Sequence, residues 1–327
     1  MLYLLYFAPI VSFLVTWFAT PILIRYLKRV NLVVKDQNKE DKPLIPISGG
    51  LAVMSGILVG LMLYIFILTF IYKEGTQIEE ILAVLATIMI ITFIGFLDDL
   101  IINKTKDASY GLRQWQKPLL TLTAAIPLMV INAGTSIVSL PFFGRVDMGL
   151  IYPLVLIPIG VVGASNMINM LAGINGLEAG MGIVYIGSLG LYGYVNKRPI
   201  AAAIAAIVFA ALVAFFYYNK YPAKILPGDS LTYLLGASLV SIAIIGDLER
   251  AAIISSIPFF FEFLLKAKSK FKAQSYGYYY KGKIRSLYNK VYSLVHVFTI
   301  KPRFTEKQIA LIFICIQIIF SSLIWFI

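Results

Sequence analysis

The chain alternates between long apolar runs and short polar breaks. A run of about 20 predominantly apolar residues is long enough to cross a bilayer as a helix. Ten such runs can be drawn: 3–26, 48–72, 80–97, 117–133, 150–167, 179–195, 199–217, 230–246, 250–266 and 307–327. Within 230–266 the break is Gly246-Asp247-Leu248-Glu249-Arg250, which reads as a tight helix–helix turn. Between the fourth and fifth runs, TSIVSLPFFGRVDMG holds β-branched residues, a proline and two glycines. It predicts a short hairpin outside the membrane. The longest polar stretch is 266–307. Inside it, KIRSLYNKVYSLVHVF sets Ile284, Leu287, Val291, Leu294 and Phe298 three to four apart, with Lys283, Arg285, Asn289 and Lys290 between them. That spacing predicts a helix lying on the membrane surface.

Composition supports the pattern. Apolar residues make up 60% of the 327, only 13% are charged, and the mean hydropathy is +0.86. A soluble domain is about half apolar and roughly a quarter charged. The expected fold is therefore all-α and integral to the membrane, one polytopic domain over 1–327. The first run is too long for a signal-peptide core and lacks a basic leader, so it reads as a retained span. The single Cys315 excludes a disulfide framework and a cysteine metal site.

Charge sets the orientation. The loops 25–47, 98–117, 168–178, 218–229 and 266–307 carry 6, 4, 0, 2 and 11 Lys or Arg, which is 23 of the 28. The other side carries Lys73, Arg145, Lys197, Arg198 and Arg250. Basic loops stay in the cytosol, so the first set is cytosolic, both termini are outside, and 266–307 is a long basic cytosolic loop. The net charge of +12 thus belongs to one membrane face and does not point to nucleic acid. Its ordinary role is topology and attraction to anionic lipid, about 1 kcal/mol per basic residue near the surface.

The costly polar residues gather on that same face. Asp98 and Asp99 close the apolar run in FIGFLDDLIINKTK, with Asn103 just beyond, and Lys117 opens the next run in QWQKPLLTL. Adjacent carboxylates at a membrane boundary repel and are expensive to bury; a helix end meeting water is the plain alternative. Asp229, in LPGDSLTYLLG, suits an N-cap or a metal or phosphate site at a helix N-terminus. In NMINMLAGINGLEAGMG, Asn166 and Asn169 share one helical face, and Gly173, Asn175, Gly176 and Glu178 follow. Amide carbonyls beside carboxylates suit a hard cation such as Mg²⁺, and the glycines let backbone approach a ligand. Gly49 and Gly50, in PLIPISGG, allow close helix packing or leave room for a ligand. His296 is the one histidine, with Lys301 and Arg303 after it. A transport path would place ionisable groups at mid-span on several helices and show internal repeats. Neither is present, and a secondary transporter stands as the alternative class.

NMINMLAGINGLEAG, together with FIGFLDDL, LPGDSLTYLLG and PLIPISGG, resembles the polyprenyl-phosphate N-acetylhexosamine-1-phosphate transferases (the MraY-like family). The resemblance covers essentially the whole chain and is greatest to the eukaryotic and archaeal branch: bacterial members typically carry an Asp where this chain has Ala172. The bacterial His-x-His-His element before a Phe-Thr-x-x-Gln run is reduced here to His296, at the place of its second His, ahead of FTEKQ at 304–308.

The resemblance implies UDP-N-acetylglucosamine and dolichyl or another polyprenyl phosphate as substrates, and UMP and a lipid-linked pyrophosphoryl sugar as products. Mg²⁺ would be the cofactor, with Mn²⁺ as a substitute. It implies a cytosolic active site in an archaeal plasma membrane or an ER-type membrane, with a homodimer as an open option. Asp229 and Asn169 would hold the metal, and Lys117 would pair with phosphate. Asp98 and Asp99 would orient or deprotonate the lipid phosphate, with either, or neither, as base. Asn103 and Asn166 would hold phosphates or the loop, and Asn175, Gly176 and Glu178 would shape the nucleotide pocket. His296 and Arg303 would close over sugar and pyrophosphate. Another UDP-sugar or an undecaprenyl carrier would keep the same reaction class.

Overall fold

The computed structural model describes residues 7–105, 111–132, 136–140 and 144–326. It is helical, with three two-stranded sheets. The helices are α1 (Phe7–Arg29), α2 (Gly50–Phe66, continued by a wide turn Ile67–Tyr72), α3 (Ile78–Thr105), α4 (Gln116–Leu122), α5 (Ile126–Ile131), α6 (Ile157–Leu171), α7 (Leu177–Val195), α8 (Pro199–Asn219), α9 (Gly228–Gly246), α10 (Glu249–Ser255), α11 (Ile257–Lys268), α12 (Leu294–Thr299) and α13 (Glu306–Ser322). A helix satisfies its own backbone, which is what a chain inside lipid requires.

Helix occupies all ten predicted runs, but among the described residues seven stretches are long and apolar enough to cross a membrane: Phe7–Arg29, Gly50–Tyr72, Ile78–Ile102, Tyr152–Leu171, Pro199–Asn219, Gly228–Gly246 and Glu306–Phe326. The count is seven by that measure, where the sequence predicts ten. Proline accounts for two of the other three. Pro127 and Pro258 cannot donate a backbone hydrogen bond one turn back. The run 117–133 accordingly tightens over Thr123–Ala125 between α4 and α5 and stays a shorter apolar helix, Gln116–Ile131, and the run 250–266 splits into α10 and α11. In α7, five glycines and three tyrosines dilute the hydropathy.

The strands are local. β1 (Val33–Lys35) pairs with β2 (Leu44–Pro46), which the hydropathy pattern does not predict. β3 (Ile137–Leu140) pairs antiparallel with β4 (Gly144–Asp147), where the hairpin is expected. β5 (Gly277–Tyr280) pairs with β6 (Lys283–Ser286). This last pair corrects the surface helix expected over 284–298: only α12 is helical there. Lys281 and Gly282 both have positive φ, +47° and +79°. Two such residues between strands make the turn whose twist suits a hairpin, and a period of three to four read through it is accidental.

α9 lies at the centre, its residues almost all buried. Three helices press on it through glycines. A Cβ on Gly95 of α3 would lie 2.4 Å from the Asp229 carbonyl oxygen, and one on Gly236 of α9 would lie 2.4 Å from Ser165 backbone on α6. Gly50 on α2 would meet Ser230 backbone at 2.4 Å. Small residues of this kind let membrane helices approach closely, and here they fix where Asp229 stands.

Candidate active site

Asp229 sits on the first turn of α9, and Asp99 of α3 holds that turn from outside. Asp99 Oδ1 accepts the Asp229 backbone N–H at 2.7 Å, and Oδ2 accepts that of Ser230 at 3.3 Å. Helix N-termini leave such donors unpaired within the helix, so a buried carboxylate is a fitting cap. Gly228 makes room for it: its φ is +69°, and a Cβ there would lie 2.3 Å from Asp99 Oδ2.

Asp98 faces the other way. Its Oδ1 accepts the Leu112 N–H at 2.6 Å, and its Oδ2 lies 2.6 Å from Lys117 Nζ. Lys117 Nζ also donates to Asp229 Oδ2 at 2.7 Å. One lysine, on the first turn of α4, therefore joins two carboxylates that would otherwise repel inside the protein. Asn169 Nδ2 donates to the same Asp229 oxygen at 3.0 Å, and Thr232 Oγ1 donates to Asn169 Oδ1 at 3.2 Å. Asn166, one turn earlier, donates to Thr121 Oγ1 at 3.2 Å and to the Val162 carbonyl at 2.8 Å, tying α6 to α4.

Lys117, Asn166, Asn169, Asn175, Glu178 and Asp229 line one cavity of about 880 Å³. It continues away from them along α6, α9 and α11 as an apolar groove, past Val162, Val240, Ala243 and Phe260, to Tyr152 and Glu249 near the other end. Asp98 is buried behind Lys117 and Asp99 behind α9; neither lines the cavity.

The loop 172–176 forms another wall. Asn175 donates through its side chain to Asp36 Oδ2 at 3.0 Å and through its backbone to Glu306 Oε1 at 2.9 Å. Lys39 bridges Asp36 and Glu306. Asn38 donates to the Gly173 carbonyl at 2.6 Å and accepts from Gly277 N–H at 3.0 Å. Glu178 Oε1 accepts the Gly173 N–H at 2.7 Å, while its Oε2 is buried without a partner. Gly176 takes φ +81° just before α7, and a Cβ there would lie 3.1 Å from Lys220 Cα. Asp36, Asn38, Lys39 and Glu306 are absent from the sequence reading. Apart from the Asp36–Lys39 pair, their partners lie more than 130 residues away, and no local spacing signals that.

His296 and Arg303 lie elsewhere. His296 is fully buried on α12, where its Nδ1 accepts the Tyr292 N–H at 3.2 Å and its Nε2 bonds the Gln274 carbonyl at 2.9 Å. Both ring nitrogens are thus taken by backbone. Arg303 is exposed, and neither residue lines the cavity. Asn103 falls in the last turn of α3, and its side chain lies outside the described residues.

Burial pushes the His296 pKa down to about 4, so the ring is neutral at pH 7. In the unfolded chain it takes a proton near pH 6.5. Its contribution to stability is therefore complete above about pH 6.5 and is lost as pH falls toward 4. Thermal midpoints measured from pH 7 to pH 4 are expected to fall more steeply for the wild type than for His296→Gln. Parallel curves would remove this residue as the cause.

Residues 81–247 match the profile described as glycosyl transferase family 4, and this region carries Asp98, Asp99, Lys117, Asn169 and Asp229. The chain belongs to glycosyl transferase family 4. Relatives extend the match beyond that segment. A Saccharolobus solfataricus protein, provisionally named a UDP-N-acetylglucosamine–dolichyl-phosphate N-acetylglucosaminephosphotransferase, is 36% identical over 95% of this chain and 93% of its own. A Dictyostelium discoideum protein of the same name, without that qualification, is 26% identical over 79% of this chain and 70% of its own. The phospho-N-acetylmuramoyl-pentapeptide-transferase of Thermotoga petrophila is 33% identical over 73% of this chain and 74% of its own. In this family 4 chain the two long basic loops, 25–47 and 266–307, fall outside the matched segment, and both supply walls to the cavity.

Proposed function

We propose that this family 4 protein transfers N-acetylglucosamine 1-phosphate from UDP-N-acetylglucosamine to dolichyl or another polyprenyl phosphate, releasing UMP. The product is a lipid-linked pyrophosphoryl sugar, the start of lipid-linked oligosaccharide assembly. The observation that carries this is the Asp98–Lys117–Asp229–Asn169 cluster at the head of a cavity that continues as an apolar groove. One end suits phosphates and the other suits a prenyl chain. The relatives named for this activity support the same reading.

A phosphate oxygen of the lipid attacks the β-phosphorus of the sugar nucleotide. The bond from that phosphorus to the bridging oxygen breaks, and UMP departs with the oxygen. Both reactants are anions, so the protein must hold them together and offset their charge. Lys117 is the cation placed to do so. Asp98, buried behind Lys117, holds that ammonium in place and so acts on the lipid phosphate only through it. The second pKa of such a phosphate is about 6, so little base strength is needed. Asp99 positions Asp229 by fixing the first turn of α9.

The donor set fits Mg²⁺: the Asp229 carboxylate would hold it, with the side-chain amide of Asn169 beside it. Mg²⁺ takes one or two protein oxygens and leaves its remaining positions to water and phosphates. When bound there it would supply Lewis-acid charge to the diphosphate. Asn175 and Glu178 form the nucleotide wall, and the free Glu178 oxygen suits an N–H or hydroxyl donor. The excess of Lys and Arg in the loops around this site supports a cytosolic active site, with the termini and the β3–β4 hairpin on the other side.

Purified protein given dolichyl phosphate, UDP-N-acetylglucosamine and Mg²⁺ is expected to release UMP only when all three are present. UDP as the product would replace this reading with ordinary glycosyl transfer. No nucleotide product with any UDP-sugar would favour transport.

A further inference from the structure

Lys266 stands in the cavity wall two residues before the end of α11, its side chain only 6% exposed. Burying an ammonium is costly unless its donors are met. One N–H donates to the Ala273 carbonyl at 2.7 Å. Glu262, one turn earlier, forms an ion pair with Lys266 at 3.7 Å, too long for a hydrogen bond. That carboxylate already has other donors. Ser293 Oγ and the Leu294 N–H reach its Oε2 at 3.1 and 2.7 Å. An ammonium carries three N–H groups. Among the described residues, Ala273 is the only hydrogen-bond acceptor for this one.

The neighbours of Lys266 locate it at the polar end of the groove. The Phe271 N–H donates to the Lys266 carbonyl at 2.9 Å. The Phe271 carbonyl accepts from Gln114, three residues before Lys117. On the other side, Ser275 Oγ donates to the Met170 carbonyl at 2.7 Å, the residue after Asn169. Lys266 thus lies between the segment that carries Lys117 and the helix end that carries Asn169, and it lines the same cavity as both.

We propose that Lys266 binds phosphate oxygens of a substrate held in this cavity, as a second cation beside Lys117; this rests on the phosphotransferase reading. Lys117 is already bonded to two carboxylates, so much of its charge is neutralised before any substrate arrives. Lys266 has donors to spare for an anion. The lipid monophosphate and the nucleotide diphosphate present the same chemistry to it, and their affinities separate them.

The test is calorimetric titration of the full-length protein in detergent with farnesyl phosphate, UDP-N-acetylglucosamine and uridine. Lys266→Gln is expected to weaken at least one phosphate ligand about tenfold, as loss of a charge-assisted bond should, and to leave uridine unchanged. Lys266→Arg, which keeps the charge, is expected to stay within about threefold. Loss for farnesyl phosphate alone assigns Lys266 to the lipid phosphate, and loss for the sugar nucleotide alone assigns it to the diphosphate. Unchanged affinity for both overturns the proposal. So does an equal loss for uridine, which would mark a distorted pocket. If Lys266→Gln fails to fold, either phosphate ligand should protect Lys266 of the wild type from acylation, read by mass spectrometry; equal labelling overturns the proposal. A wild type that binds phosphate through Lys266 but makes no UMP would sink the phosphotransferase reading alone.

Discussion

Asp229→Asn is expected to cut turnover by about 10³-fold or more while leaving a folded protein, a loss of the size seen when a group acting on developing charge is removed. The substitution keeps the shape, an oxygen for Lys117 and the backbone bonds to Asp99, all of which the fold uses. What it removes is the charge at the one carboxylate that both lines the cavity and touches Asn169. Binding of UDP-N-acetylglucosamine without metal should change little, whereas any dependence on Mg²⁺ should weaken. The measurement is UMP release at saturating substrates, with thermal unfolding run alongside. Activity near the wild type would take Asp229 out of the metal role, and a collapse of thermal stability would show that the residue mainly serves the fold.

Lys117→Met should harm both activity and stability. The lysine bridges Asp98 at 2.6 Å and Asp229 at 2.7 Å, and both carboxylates are well buried. Removing one partner of a buried pair leaves charge uncompensated and costs about 3–5 kcal/mol. Here two carboxylates would be left facing each other. The double variant Lys117→Met with Asp98→Asn should recover much of the stability, because one carboxylate is gone, and none of the activity, because the cation is gone. A double-mutant cycle from thermal or denaturant unfolding measures the coupling. Additive effects would mean that the two residues do not depend on each other, and that the bridge carries little.

The Asp-Asp pair shows what the sequence leaves undecided. As letters, Asp98 and Asp99 are equivalent. On a helix they point about 100° apart, so one reaches α4 and the other reaches α9. Only the packing of α9 against α3, permitted by Gly95 and Gly228, turns Asp99 into a cap and leaves Asp98 beside Lys117. The same holds for Asn175: its Asn-Gly context predicts a turn, and a turn is what forms. Its bonds to Asp36 and Glu306 join three segments far apart in the chain.

The sequence by itself determined the helical class, the places of the helical runs, and the membership in a family through motifs at Asp98, Asn169 and Asp229. Hydropathy and motif spacing are local properties, and local properties survive in one dimension. It missed the β5–β6 hairpin because two positive-φ residues, one of them a lysine, do not announce themselves. It set His296 among substrate-facing residues because a lone histidine in a basic loop carries no sign of burial. Tertiary structure alone decided that His296 is bonded to backbone on both nitrogens, that α3 clamps α9, and that Lys266 enters the cavity with donors unfilled. Those facts depend on which surfaces meet: burial of His296 and Lys266 and the α3–α9 clamp, which joins residues 130 positions apart, follow from how the elements pack.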